Sequence, residues 1–285
     1  MESKPFYRIY RPFSESAMTS NSGFLYYVED ERYCKERIQL LRMYKMLQTQ
    51  VIDTFQYVEP VKTNKDVYSL RYHQLYWNIC AEIETNFRGI LKANGYTRKL
   101  KTNENKRKKE PDWNIKDDYF VANSALKLNE YKLKSYCYEI SNDTDNDTDN
   151  DINVGQPFAN WNAEKYARLV WFAEHNSVKH DRSVEFRNAN LKNVVTALAG
   201  LYILLFAQFG FLADAITNNG ILLVSAENES YIPCGVNNDM GYYLHETPMY
   251  RESEKYNFNW DEIKTECKPF QCFDFNELTV STSKN

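Results

Sequence analysis

VVTALAGLYILLFAQFGFLA, residues 194–213, is the stretch on which the fold turns. Its twenty residues carry only Thr196 and Gln208 as polar interruptions, which meets the length and composition needed to cross a bilayer as a helix. A helix that is apolar all round is also what the centre of a helical bundle or a dimer seam needs. Three features favour burial. No second hydrophobic segment accompanies the run. Ala197, Ala199 and Gly200 are small residues that suit close helix–helix contact. Its flanks, Lys192 and Asp214, lack the dense basic cluster that orients a lone span. The run is therefore expected to be the buried spine of a mainly α helical bundle, with a single-span membrane anchor as the alternative.

Working outward, two more segments have helical period. Cys34, Ile38, Leu41, Tyr44, Leu47, Val51 and Phe55 recur at three- and four-residue steps from Glu31 on, and Pro60 closes that helix. A second helix is expected from near Asp66, with Tyr72, Leu75, Ile79, Ile83, Phe87 and Ile90 on one face and Asn94-Gly95 as its C-terminal stop. Residues 1–30 are aromatic and irregular, an extended arm or short strands. Residues 119–138 have a weaker helical period. Asn160 or Asn162 can cap a helix that runs through Trp171, and a long helix is expected from near Asn188. Residues 221–224 and 231–232 suggest a short β-hairpin, followed by an irregular, aromatic and polar end. This divides the chain into an N-terminal arm and helix (1–60), a bundle with charged insertions (61–215) and a C-terminal extension (216–285).

The insertions are two blocks of opposite charge. Residues 98–110 hold seven bases against Glu104 and Glu110, and residues 142–151 hold five aspartates and no base. The acidic block repeats Asp-Thr-Asp-Asn and reads as a flexible loop; it lacks the glycine and glutamate a calcium loop needs. The basic block is a loop that either meets RNA phosphates or is balanced by its acidic counterpart.

Composition narrows the classes. Aromatic residues make up 15% of the 285, too many for a disordered chain, while 9 Gly and 8 Pro argue against a propeller or a glycine-built nucleotide fold. A net charge of −4 gives no global pull toward nucleic acid or anionic lipid. The six cysteines form no C-x-x-C pair, and Cys267, Cys272 and His245 do not have zinc spacing. No apolar segment follows the first charges, so no signal peptide is expected, and reduced thiols in the cytoplasm are the default.

The chemistry-bearing residues lie just before the spine, in His175-Asn176-Ser177-Val178-Lys179-His180-Asp181-Arg182. On a continuous helix Asn176, Lys179, His180 and Ser183 share a face, and His175, Val178 and Arg182 share its neighbour. A lysine beside a histidine favours the neutral imidazole, as a general base requires. His180 would take the proton of a ribose 2′-hydroxyl, and Lys179 or Arg182 would hold the phosphate, which suffices for metal-independent RNA cleavage. In the structural alternative, His180 and Asn176 bond backbone at a helix end and the cations are solvated.

The order Asn-x-x-Lys-His-Asp-Arg, then Phe186, Ala189-Asn190-Leu191 and the Ala197–Leu201 stretch, resembles the HEPN superfamily of small all-helical domains. The resemblance covers roughly residues 66–212. It implies a helical bundle, homodimerisation across the motif-bearing helices, and a role in toxin–antitoxin, phage-defence or RNA-processing systems. Active members carry Arg-Asn-x-x-x-His as a ribonuclease site. Asn176 and His180 match the Asn and His, which implies catalytic roles for both. The arginine position is His175, a departure that puts a shorter, only partly charged group where the family holds phosphate. The expectation is a metal-independent endoribonuclease without cofactor or metal. Asn176 and His180 would be catalytic, and Lys179, Arg182 and His175 would bind phosphate. RNA, a second copy and an antitoxin or defence protein are its expected partners, with no membrane. The alternatives are a non-catalytic module of that kind binding RNA, a nucleotide or a protein, and the membrane-anchored protein.

Overall fold

Periodic apolar faces become three long helices, which make the protein a mainly α helical bundle. The computed structural model describes residues 4–20, 24–97, 99–100, 103–107, 113–115, 118–135, 154–161, 166–210 and 243–277. A short α1 (Glu15–Ser20) precedes α2 (Arg37–Thr54) and α3 (Leu70–Ala93). Then come α4 (Asn123–Leu126), α5 (Val170–His180), α6 (Arg182–Glu185), α7 (Leu191–Phe209) and α8 (Trp260–Ile263).

The spine is α7, packed by α2, α3, α4 and α5. Every residue from Asn193 to Phe209 is buried. It is long and apolar enough to cross a membrane, yet 94% of its most apolar stretch lies inside the protein. Its apolar surface is thus already covered by neighbouring helices. Gly200 sets how closely they approach: a Cβ there would sit 3.3 Å from the Trp171 ring and 3.6 Å from Phe158. Gly210 ends the helix at φ +59, a conformation that suits glycine, and its bare Cα admits the Tyr10 ring.

At the other end Asn190 is the N-cap, accepting a hydrogen bond from the Asn193 N–H at 3.0 Å. Its amide also donates to the Arg187 carbonyl at 3.3 Å, so one side chain both starts α7 and ties down the turn before it. Asn190→Ala is expected to cost about 0.5–2 kcal/mol, the range for losing a cap, read as a lower urea midpoint with unchanged slope.

Ser69 caps α3 by accepting from the Tyr72 N–H at 3.0 Å, and Gly95 at φ +68 closes it. The six apolar residues expected on its inner face are each at most 1% exposed. Burying each such side chain stabilises by ~1.5–3 kcal/mol, so this face outweighs any deficit in helix propensity. The α2 stripe is similar from Leu41 to Val51, but the helix starts at Arg37, not Glu31, and Ile38 faces outward at 38% exposure.

Several expectations need correction. Residues 119–135 are not one helix: a 3-10 turn leads into α4, Lys127 takes a left-handed conformation at φ 49, and the chain continues as a strand. The helix expected from Asn160–Asn162 begins only at Val170; residues 158–160 form turns and 166–169 are extended or irregular. The basic block is not a plain loop. Its backbone pairs as an antiparallel hairpin of β1 (Lys99–Leu100) and β2 (Asn103–Arg107). A three-stranded antiparallel sheet of order β4–β3–β5 joins β3 (Lys132–Ser135), β4 (Val154–Gly155) and β5 (Tyr243–Glu246). The acidic block and the hairpin expected at 221–232 lie outside the described residues.

The arm and the C-terminal extension meet. The Tyr7 N–H donates to the Gln271 carbonyl at 3.1 Å, the Gln271 N–H to the Pro5 carbonyl at 3.0 Å, and at 2.9 Å the Ser14 N–H donates to the Tyr256 carbonyl and the Tyr256 N–H to the Pro12 carbonyl. Phe13, Tyr27, Tyr256 and Phe258 pack edge to face in one aromatic layer between them. Asn94, at the end of α3, ties both to the bundle: its amide donates to the Tyr7 carbonyl and its oxygen accepts from the Phe273 N–H.

Candidate functional site

The octet is a corner, not a continuous helix. α5 runs through His180 and stops because Asp181 adopts φ −142, ψ 78. The Asp181 carboxylate then accepts from the Val184 N–H at 3.3 Å and the Ser183 hydroxyl at 2.6 Å, which starts α6. These bonds, the Ser183 hydroxyl first, hold the Asp181 carboxyl below its ordinary range. The break separates Arg182 and Ser183 from the helical faces expected to carry them. Lys179 and His180 occupy the last turn of α5, where the negative end of the dipole favours cations.

Phe172, His175 and Val178 recur every three residues and are the buried stripe of α5. The His175 ring is 4% exposed, against Tyr76, Trp77 and Phe172 at centroid distances of 5.4, 5.7 and 5.7 Å. Both of its nitrogens are buried without a hydrogen-bond partner among the described residues. Burial, then Lys179 and His73, push its pKa down to about 4. The expected phosphate-binding role of His175 is therefore corrected: a neutral ring with no accessible nitrogen reaches no phosphate.

The last four residues of the octet, Lys179 to Arg182, face outward. His180, Lys179 and Arg182 are exposed, and Asn176 is half-buried with no side-chain hydrogen bond to a described residue. Lys179 Nζ lies 5.5 Å from the centroid of the Trp77 ring. Neither Lys179 nor Arg182 has an ion-pair partner among the described residues.

The sequence reading missed the contribution of α3. His73 and Trp77, one turn apart on its outer side, face this corner. The His73 ring lies 6.3 Å from Trp77 and 6.1 Å from Phe186, which in turn packs edge-on to Tyr68 at 5.4 Å. Desolvation, with Arg182 adding to it, lowers the His73 pKa. The available signal was a tryptophan and a histidine at i, i+4 on the polar side of a helix whose opposite face was already complete.

Beside the corner lies a polar cleft of about 480 Å³, lined by Asp66, Tyr68, Glu174, Arg187, Lys192 and the asparagines that open α7. Its two acids and two bases cancel formally, and Glu174 is held by the Asn193 amide. Among the described residues no three His, Cys, Asp or Glu side chains are grouped to hold a metal ion. Compared with family models, curated proteins and solved structures, the chain matches none.

Proposed function

We propose that this protein is an RNA-directed helical bundle of HEPN type, and that the α5–α6 corner is a metal-independent endoribonuclease site. The observation that carries the reading is the exposed imidazole of His180 at a helix end, beside two cations, Lys179 and Arg182, that form no ion pair with a described carboxylate. His180 accepts the proton of a ribose 2′-hydroxyl as that oxygen attacks the adjacent phosphorus, and the 5′-oxygen leaves with a proton taken from water to give a 2′,3′-cyclic phosphate. Asn176, one turn earlier with a side-chain amide that bonds no described residue, orients the substrate. Lys179 and Arg182 take over the phosphate contact that buried His175 does not make. Assembly as a homodimer across these helices, in a defence or toxin–antitoxin setting in the cytoplasm, belongs to the same proposal.

His175 also supports a second reading, a module that binds RNA without cutting it, because the cation of the resembled motif is missing from the surface. Incubation with RNA in chelator separates the two. Cleavage with cyclic phosphate ends, reduced about 100-fold or more in a folded His180→Ala variant, is the expected result. RNA bound but left intact would assign the second reading.

A further inference from the structure

Trp77 is the exposed member of the five tryptophans. It is 40% exposed, whereas Trp113, Trp161, Trp171 and Trp260 are each 7% or less. Nothing in the bundle requires an indole there, since the core-facing positions of α3 are already filled. The buried His175 ring lies 5.7 Å from the Trp77 ring and the His73 ring 6.3 Å. Tyr68, 53% exposed, stands at the same end of α3, braced by Phe186. The result is two rings in contact with neighbouring rings and open to solvent, in a setting that also presents Lys179 and Arg182.

We infer that this surface is a stacking platform for unpaired bases of single-stranded RNA, with Trp77 and Tyr68 taking bases and Lys179 and Arg182 taking the intervening phosphates. Charge complementarity selects the occupant: an apolar partner helix would bury two cations that no described carboxylate pairs with, whereas a polyanion with π faces matches both features. Base stacking on aromatic rings tolerates any sequence, so the platform supplies affinity and leaves choice of cleavage position to other contacts. The inference rests on the RNA-directed reading above and shares Lys179 and Arg182 with it, but Trp77 and Tyr68 are binding residues that this reading does not use.

The test is titration of the full chain with a short unstructured oligoribonucleotide, following tryptophan emission and binding anisotropy together. Quenching of the exposed tryptophan in step with binding is expected, with the signal lost in Trp77→Leu. Affinity is expected to fall about tenfold in Trp77→Leu and to be largely retained in Trp77→Tyr, which keeps a ring. Lys179→Ala and Arg182→Ala should each lower the salt slope of binding by about 1, and Trp77→Leu should leave it unchanged. Thermal melts confirm that each variant is folded. Unchanged binding by a folded Trp77→Leu overturns the platform, while cleavage dependent on His180 would leave the ribonuclease reading standing. Conversely, Trp77-dependent binding without cleavage keeps the platform and removes the nuclease. A Trp77 that acrylamide cannot reach in the free protein, because two copies cover it, also overturns the platform.

Discussion

Gln208→Leu is expected to destabilise the fold by about 3–5 kcal/mol, although it removes a polar residue from an otherwise apolar helix. The reason is Arg8. The residue is 6% exposed, and its Nε and one Nη donate to the Gln208 side-chain oxygen at 2.9 and 2.7 Å. A longer bond of 3.4 Å reaches Asn86, which also accepts from the Gln208 amide at 2.9 Å. Burial pushes the Arg8 pKa down from the ordinary arginine value, the sign that the charged form is poorly solvated. Removing Gln208 leaves that charge its weakest contact. Removing both ends at once relieves the problem, so Arg8→Met with Gln208→Leu is expected to be more stable than Gln208→Leu alone. Urea unfolding of the two single variants and the double closes the cycle. A Gln208→Leu protein as stable as the wild type would sink the account.

Arg8 and Gln208, together with Gly89, indicate how much of the fold was legible. Gln208 interrupts an apolar run, Gly89 sits in a helix interior, and Arg8 lies in an aromatic arm; each is a local misfit. They meet at one point. A Cβ on Gly89 would fall 1.8 Å from an Arg8 Nη, so the glycine is the space the guanidinium occupies. Periodicity located α2, α3 and α7 because each buries a face long enough to impose its own repeat. It failed over residues 119–135, where pairing of β3 with β5, over a hundred residues away, overrides a weak helical pattern. Such partners are not readable from a local window.

The site was half legible for the same kind of reason. The sequence identifies the residue types, but the break at Asp181 decides which of them share a surface. Aspartate is a poor interior residue and a good cap, and Ser183 and Val184 behind it supply the donors. His175 was assigned outward although it lies three residues after Phe172 and three before Val178, the spacing of the buried stripe. Resemblance to a motif placed it at a phosphate; packing places it in the core.

That packing makes acid stability the second large expected effect. His175 has a folded pKa of about 4 and an unfolded one near the ordinary 6.5. Above 6.5 the ring is neutral in both states and its contribution is intact. As pH falls from 6.5 toward 4 the unfolded chain takes up the proton and the folded one does not, so stability drops by about 3 kcal/mol across that window. Carboxylates titrate in the same range, so the measurement is a difference. His175→Phe keeps a ring among Tyr76, Trp77 and Phe172 and removes the titration. Unfolding in urea at pH 7, 6, 5 and 4 is expected to show the variant gaining about 3 kcal/mol over the wild type between the ends of the series. Parallel curves would mean the ring is protonated at an ordinary pKa in the folded state. By the same argument His175→Arg, which rebuilds the resembled motif letter for letter, is expected to destabilise the bundle before it adds a phosphate ligand. The ring's site offers a guanidinium neither a described hydrogen-bond partner nor water. An added cation belongs on the solvent side of the corner, where Lys179 and Arg182 already stand.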